Sequence, residues 1–296
     1  MTQHGFLTVI CCMVLAGCGS TRSVTTPTQT PTTPPASLAS CASWATLQRG
    51  TGVPTEVGSV ATQRQALFNA GGGIKVVGSK YYVAYFPAGY AGSTRRRVLV
   101  TLHGTGGSPE AQWNDWNATM RSRNWALLAV KYLDDATGTY DDDQAIYNNI
   151  KLMVDDVRAS CDLGSSASFF LEGFSRGSAQ AFPVTYLDLK DRRFFKATGN
   201  NSGAWPPSAP LVPTLAAIVA RQETTALSGS RFWMYCGELD MEPGFPMCDA
   251  LENARVFVST YGGTVAALFR DPTGRHGGLT SNATAIAQMF SYFEGL

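Results

Sequence analysis

The sequence has 296 residues, of which 44% are hydrophobic and 15% are charged, and its formal net charge is +1. This is the composition of a globular protein, and the chain is long enough to bury one large core. The near-zero charge gives no reason to expect a nucleic-acid partner, and no apolar run of about 18 residues indicates an internal transmembrane helix.

The N-terminus has the pattern of an export signal. Residues 5–15 are mostly apolar, a stretch too short to span a bilayer, and small residues precede Cys18. The tetrad Leu-Ala-Gly-Cys that ends at Cys18 resembles the lipobox of bacterial lipoproteins. The resemblance implies a signal peptide over residues 1–17, cleavage before Cys18 and lipidation of its thiol. Because the signal contains no lysine or arginine, a plain secretory signal stays open as the alternative.

Residues 18–40 are interpreted as a lipidated cysteine followed by a tether. Seven threonines and four prolines lie within residues 21–40, with almost no large apolar side chain. Such a segment cannot offset its ordering entropy, and its prolines keep it extended. We therefore expect a lipid-anchored protein of the bacterial cell envelope, with one catalytic domain over residues 41–296. Gly19 stands where an aspartate would signal inner-membrane retention, which favours the outer membrane in a Gram-negative host.

Cysteine usage agrees with export. The cysteines that remain after the signal and the lipidated position are Cys41, Cys161, Cys236 and Cys248. An even count in an exported domain indicates two disulfides, for which three connectivities are available. Local pairing favours Cys236 with Cys248 and leaves Cys41 with Cys161, and four buried thiols are the alternative. The sequence contains no CxxC motif or histidine-rich cluster, so no metal site is expected.

The domain alternates predicted strands and helices. Residues 73–88 predict an opening hairpin with its turn near Gly78, and a helix is predicted by apolar residues at helical spacing over 145–157. Continuous apolar runs suit strands that are covered on both faces. These runs are residues 97–102, 125–130, 168–171, 194–198, 232–235 and 265–269. The alternation predicts an α/β fold with a mainly parallel central sheet and helices on both faces.

A serine stands between two glycines where one predicted strand meets a helix. The motif Gly-Phe-Ser-Arg-Gly centres on Ser175, between Gly173 and Gly177, and small, helix-compatible residues follow it. A nucleophile on a tight strand-to-helix turn has strained backbone, and bulky neighbours would clash with it. The pattern therefore predicts a hydroxyl held at a helix N-terminus, whose amides favour negative charge.

A glycine-rich loop follows the predicted strand at 97–102. Residues 102–107 read LHGTGG, and glycines in such a loop can aim amide N–H groups at an oxyanion. A dinucleotide-binding loop is the competing interpretation. The GxGxxG pattern counted from Gly104 requires glycine at position 109, where Pro109 stands. We therefore expect no nucleotide cofactor.

One histidine and one aspartate complete a candidate catalytic set. Of the three histidines, His4 leaves with the signal and His103 belongs to the glycine loop, which leaves His276. It follows the last predicted strand, and an open α/β sheet holds its site beyond the carboxyl ends of its strands. Asp240 follows the preceding strand and could hold the imidazole in the required tautomer. The alternative acids are Glu238, Glu242 and Asp271.

The chain order Ser175, Asp240, His276 downstream of a glycine loop resembles the α/β-hydrolase superfamily over roughly residues 80–296. The resemblance implies an α/β-hydrolase fold, with Ser175 as nucleophile, His276 as general base and then acid, and Asp240 as its orienter. It implies acyl transfer to water through an acyl-serine intermediate. It also implies an oxyanion hole made by the Arg176 amide and one amide of the glycine loop. The candidate loop amides are those of Gly104, Thr105 and Gly106.

A narrower similarity, carried by residues 82–87, the VLVTLHGTGGS segment and the serine turn, is to secreted esterases related to polyhydroxyalkanoate depolymerases and feruloyl esterases. It implies hydrolysis of carboxylic esters, including bulky, polymeric or plant-cell-wall esters. Arg176 and Ser178 depart from this pattern, which has a small residue and a glycine there. A non-catalytic binding lipoprotein on a hydrolase scaffold and a peptidase or amidase stay open as alternatives. We expect a monomer that meets the membrane only through its lipid.

Overall fold

The computed structural model describes residues 38–48, 58–134, 137–205, 212–242 and 244–296. The predicted signal peptide, Cys18 and the tether up to residue 37 lie outside these residues. Leu38–Leu296 forms one compact unit. None of the helices in the described ranges is both long and apolar enough to cross a membrane.

A mainly parallel sheet runs through the described residues. Its strand order is β1-β2-β4-β3-β7-β8-β9-β10. The strands are β1 Gly73–Val77, β2 Lys80–Tyr85, β3 Arg97–Leu102, β4 Ala126–Val130, β7 Ser168–Phe174, β8 Phe195–Asn201, β9 Arg231–Gly237 and β10 Thr264–Asp271, and a separate two-stranded hairpin joins β5 Leu133–Asp134 to β6 Thr139–Tyr140. β1 and β2 form an antiparallel hairpin and β2 pairs antiparallel with β4, whereas all other neighbours in the sheet are parallel. The predicted α/β architecture is therefore confirmed.

Helices cover both faces of this sheet. They are α1 Cys41–Leu47, α2 Gly58–Asn69, α3 Pro109–Arg123, α4 Asp143–Ser160, α5 Arg176–Lys190, α6 Pro213–Ala220, α7 Met247–Thr260 and α8 Ala283–Glu294. Successive residues of β3 pack in two different hydrophobic clusters. Val98 and Val100 pack with residues of α1, α4 and α5, and Leu99 packs with residues of α2, α3 and α8. Burial on both faces explains why the strands read as continuous apolar runs.

Two disulfides close the described domain. Cys41 is bonded to Cys161, which ties α1 to the end of α4 across a sequence separation of 120 residues. Cys236 is bonded to Cys248, which ties the end of β9 to the start of α7 across 12 residues. The predicted pairing is confirmed, and the alternative of four buried thiols is wrong.

Candidate active site

Ser175 lies at the sharp turn between β7 and α5, as the motif predicted. Its backbone has φ 54° and ψ −118°, a region that a non-glycine residue occupies only at a cost. The Ser175 N–H donates a 2.8 Å hydrogen bond to the carbonyl of Asn201 at the end of β8. The neighbouring strand therefore holds the turn in its strained conformation and keeps the serine at the carboxyl edge of the sheet.

The two glycines of the turn are required by close backbone contacts. A Cβ at Gly173 would lie 2.2 Å from the carbonyl oxygen of Gly177, and a Cβ at Gly177 would lie 2.2 Å from the carbonyl oxygen of Leu102. The second contact brings the start of α5 against the end of β3, where the glycine-rich loop begins. The glycines thus set the distance between Ser175 and that loop.

The structure brings Ser175, His276 and Asp240 together. Ser175 Oγ lies 2.8 Å from His276 Nε2, and His276 Nδ1 lies 3.0 and 3.2 Å from the two carboxylate oxygens of Asp240. The Asp240 side chain is fully buried, whereas that of His276 is 20% exposed. A carboxylate at Nδ1 favours the tautomer that carries its proton there, which leaves Nε2 free to accept the proton of the serine.

Two of the three alternative acids, Glu238 and Asp271, are engaged elsewhere, and the third, Glu242, is exposed beside Ser175 and does not contact His276. Glu238 binds Arg270 at 2.6 Å on the surface. Asp271 accepts hydrogen bonds from Asn282 at 2.7 Å and from Tyr235 at 2.9 Å, and the Asn282 amide is the main cause that lowers the pKa of its carboxyl. Within the described ranges, Asp240 is the carboxylate that the fold brings to the imidazole.

The loop that carries Asp240 is fixed at both ends and along its length. The Cys236–Cys248 disulfide closes it, and the Met247 N–H donates a 3.0 Å bond to the Asp240 carbonyl. The Leu239 N–H donates a 3.0 Å bond to the carbonyl of Gly274, in the loop that carries His276. These bonds set the position of the acid loop relative to the histidine loop.

Ser202 supports the histidine loop and had no recognised role in the sequence. It follows β8, and its hydroxyl accepts a 3.1 Å hydrogen bond from the Gly277 N–H next to His276. Its own N–H donates a 3.0 Å bond to the Tyr235 carbonyl. Its position just past a central strand is the only sequence signal that could have indicated this role.

His103 supports the glycine-rich loop from within. The side chain is buried, and its ring stacks on the ring of Tyr132 with 4.1 Å between centroids. Its Nδ1 lies 2.9 Å from the Gly104 carbonyl, and the Tyr132 hydroxyl donates to the His103 carbonyl. The structure therefore separates the two histidines of the domain: His103 shapes the loop, and His276 faces the serine.

The amides proposed for the oxyanion hole differ in their surroundings. The Gly106 N–H donates a 2.6 Å hydrogen bond to the hydroxyl of Tyr140, in β6, so this amide is already engaged. Thr105 lines the same cavity as Ser175 and Arg176. The candidate donors from the loop therefore narrow to Gly104 and Thr105, beside the Arg176 amide.

A cavity of about 440 Å³ opens at Ser175 and His276. Its lining includes Thr105, Arg176 and Glu242, together with apolar side chains. A larger cavity of about 610 Å³ lies between β10 and α8 and contains none of the candidate catalytic residues. The smaller cavity is therefore the candidate substrate site.

A buried carboxylic acid, Glu172, lies on β7 before the serine turn and was not singled out in the sequence. Its side chain is inaccessible to solvent, and its Oε2 accepts a 3.2 Å hydrogen bond from the Trp116 indole. Burial raises the pKa of Glu172 to about 8. The acid is therefore mainly neutral at neutral pH, and it lies too deep in the sheet to contact a substrate.

Comparison with known proteins identifies the fold. No protein-family model and no curated protein sequence matches the chain. Among solved structures it is similar to a fungal esterase from Rhizomucor miehei (15% identity, 85% of this chain and 93% of that chain covered, TM-score 0.54). It is also similar to a carboxyl esterase from Bacillus coagulans (11% identity, 73% and 94% covered, TM-score 0.53). An esterase from Pyrobaculum calidifontis is a third such structure (17% identity, 74% and 83% covered, TM-score 0.51).

The chain has the α/β-hydrolase fold. The predicted fold class is thus confirmed, and the identities are too low to carry a substrate from these structures to this chain. In the α/β-hydrolase fold the strand-to-helix turn after a central strand presents a nucleophile above the sheet. Ser175 occupies this position here, between β7 and α5.

Proposed function

We propose that this protein is a serine hydrolase that cleaves carboxylic esters through an acyl-serine intermediate. The observation that carries the proposal is the continuous contact from Ser175 Oγ through the His276 imidazole to the Asp240 carboxylate, at 2.8 and 3.0 Å. All three lie at the carboxyl edge of the sheet, and Ser175 and His276 line the 440 Å³ cavity. The similarity to solved esterases supports the proposal at the level of the fold.

Acylation begins with Ser175. Its Oγ attacks the ester carbonyl carbon while its proton passes to His276 Nε2, and the buried Asp240 carboxylate stabilises the imidazolium that forms. The oxyanion is stabilised by the Arg176 amide at the start of α5 and by a glycine-loop amide, from Gly104 or Thr105. The imidazolium then gives its proton to the leaving alcohol, and the C–O bond of the ester breaks.

Deacylation repeats the sequence with water. His276 Nε2 takes a proton from water as the water oxygen attacks the acyl carbon, and the second oxyanion occupies the same hole. Collapse of this intermediate breaks the bond to Ser175 Oγ, which recovers its proton from His276. The products are a carboxylic acid and the free enzyme.

A fluorophosphonate probe tests this proposal directly, because it labels only an activated serine. We expect stoichiometric labelling of the wild-type protein, no labelling of Ser175→Ala, and unchanged labelling of Ser166→Ala, an exposed serine in the loop before β7. A wild-type protein that resists the probe would support the alternative of a non-catalytic binding lipoprotein. Turnover of amides in preference to matched esters would support a peptidase or amidase.

The cellular location is a separate proposal. We infer from the Leu-Ala-Gly-Cys tetrad that Cys18 carries the lipid and that the threonine- and proline-rich segment links it to the domain. The two disulfides agree with an oxidising compartment. Plain secretion is the alternative.

A further inference from the structure

The side chain of Arg176 lies next to the nucleophile, and no acidic partner binds it among the residues that the structure describes. Arg176 follows Ser175 directly, is exposed, and lines the same cavity. In the described part of the chain, no carboxylate lies within the 4.0 Å ion-pair distance of its guanidinium. By contrast, Arg64 and Arg270 each bind a carboxylate at 2.6 Å. A guanidinium at a cavity wall that has no carboxylate partner among the described residues is available to a ligand.

Tyr140 holds this guanidinium in one orientation. The guanidinium carbon of Arg176 lies 3.8 Å from the centroid of the Tyr140 ring. The Tyr140 hydroxyl accepts the Gly106 N–H at 2.6 Å, so the ring is itself anchored to the glycine-rich loop. Stacking on an aromatic face orders the guanidinium but leaves its N–H donors unused. A planar, ordered fork of donors fits a carboxylate with two parallel hydrogen bonds.

A second arginine reinforces the positive charge around His276. Arg275 precedes the histidine, is exposed, and lines a neighbouring groove of about 540 Å³ that shares His276 with the cavity. Asp271 also lines this groove, but it is bound by Asn282 and Tyr235. Glu242 lies in the cavity lining and forms no ion pair with either arginine within 4.0 Å. Among the described residues that line the cavity and the groove, two arginines therefore face one unengaged carboxylate, that of Glu242.

We propose that Arg176 is a specificity-determining residue that binds a carboxylate of the substrate, so that the preferred substrates are esters carrying a negatively charged carboxylate near the scissile bond. Arg275 adds a longer-range attraction for the same charge. This inference rests on the proposed ester hydrolysis and names its substrate class.

The test compares two pairs of esters, each differing only in whether a carboxylate is free or methylated. Mono-4-nitrophenyl adipate and its methyl ester carry the charge on the acyl side, and 4-(butyryloxy)benzoate and its methyl ester carry it on the alcohol side. For each pair the ratio of kcat/KM, charged over neutral, is compared between wild type and Arg176→Gln, so that intrinsic reactivity cancels. We expect the ratio to fall about tenfold in at least one pair, mainly through a higher KM for the charged ester.

Arg231→Gln is the matched control, because Arg231 is an exposed arginine at the opposite end of β9 from the site. Its ratio should stay at the wild-type value, which separates local recognition from net charge. The wild-type ratio should also shrink as ionic strength rises. If the wild type hydrolyses the neutral esters but Arg176→Gln leaves the charged-to-neutral ratio of kcat/KM unchanged in both pairs, this inference alone is overturned. No turnover of any of the four esters would overturn the proposed function, and this inference with it.

Discussion

Glu172 links the stability of the fold to pH at the level of a single residue. Its pKa is raised to about 8 by burial, from an ordinary value of 4.5. Below about pH 4.5 the carboxyl is protonated in both the folded and the unfolded states. Between these two values it is protonated when folded and ionised when unfolded, so the free energy of unfolding falls as pH rises. Above about pH 8 the carboxyl is ionised in both states, and the full cost of burying its charge is subtracted from the free energy of unfolding.

Glu172→Gln should therefore stabilise the protein at alkaline pH. We expect a gain of about 1–3 kcal/mol at pH 8.5 and a flatter dependence of Tm on pH between 5 and 8. Thermal unfolding across this pH range measures both effects.

Glu238→Gln is the control, because Glu238 is an exposed carboxylate whose pKa is lowered by its hydrogen bond to Arg270. It should not gain stability at pH 8.5. A Glu172→Gln variant whose Tm falls in parallel with wild type as pH rises would contradict the assignment of a neutral buried acid.

The sequence alone identifies a functional residue when the residues next to it in the chain form a recognisable pattern. Ser175 could be found because its flanking glycines have a steric cause that is local. The contacts of Tyr140 with Gly106 and of Ser202 with Gly277 could not be predicted, because they join segments that only the fold brings together. In the sequence, Glu172 is only a polar residue within an apolar strand. Its full burial and its hydrogen bond from Trp116 are known only from the fold.

The turn between β7 and α5 requires a residue without a side chain at position 177, because the start of α5 packs closely against the end of β3. A methyl group there would meet the Leu102 carbonyl at 2.2 Å, so Gly177→Ala should push α5 away from the glycine-rich loop. We expect a loss of about 1–3 kcal/mol in the free energy of unfolding and a large loss of esterase activity.

Gly92→Ala is the matched control for this turn, since a Cβ at Gly92 would meet nothing within 4 Å. Urea unfolding of the control should lie within about 0.5 kcal/mol of wild type. Equal stability and activity of the two alanine variants would show that the turn does not need a glycine at position 177.

The two disulfides should differ in how much they contribute to stability and to esterase activity. The Cys41–Cys161 bond closes a loop of 120 residues and the Cys236–Cys248 bond one of 12, so on chain entropy their contributions are about 4–5 and about 3 kcal/mol. The shorter loop carries Asp240. We expect double Cys→Ser replacement of the first pair to lower Tm more, and replacement of the second pair to lower esterase activity more, both assayed well below Tm. The reverse ranking in activity would contradict a role of the short bridge in holding the acid.

At the scale of elements, most strands could be predicted and their ends could not. The apolar run at 168–171 was predicted as a strand, yet β7 continues to Phe174, because its ladder with β8 extends to the pair Phe174 and Asn201. Pairing with a distant strand leaves no trace in local composition. The short β5–β6 hairpin that brings in Tyr140 went unpredicted for a different reason: each of its strands has two residues, too few to show an apolar pattern.

For the whole molecule, Cys18 is the residue on which the proposed membrane attachment depends. Cys18→Ser should move the protein from the membrane fraction to the soluble fraction, without changing its specific activity on soluble esters, because each buried methylene of an acyl chain contributes about 0.8 kcal/mol to anchoring. The control is Cys12→Ser, which replaces a cysteine within the predicted signal peptide. This variant should stay in the membrane fraction. A Cys18→Ser variant that remains in the membrane fraction would contradict the lipid anchor.

The central claim is that Ser175 is the nucleophile of an ester hydrolase, and the kcat of purified Ser175→Ala tests it most directly. With 4-nitrophenyl butyrate as substrate, we predict that kcat falls by about 10⁴-fold or more, because the serine, His276 and Asp240 act as a unit. Tm should stay near that of wild type and of the Ser166→Ala control. A correctly folded Ser175→Ala protein that keeps near-wild-type turnover would contradict the account.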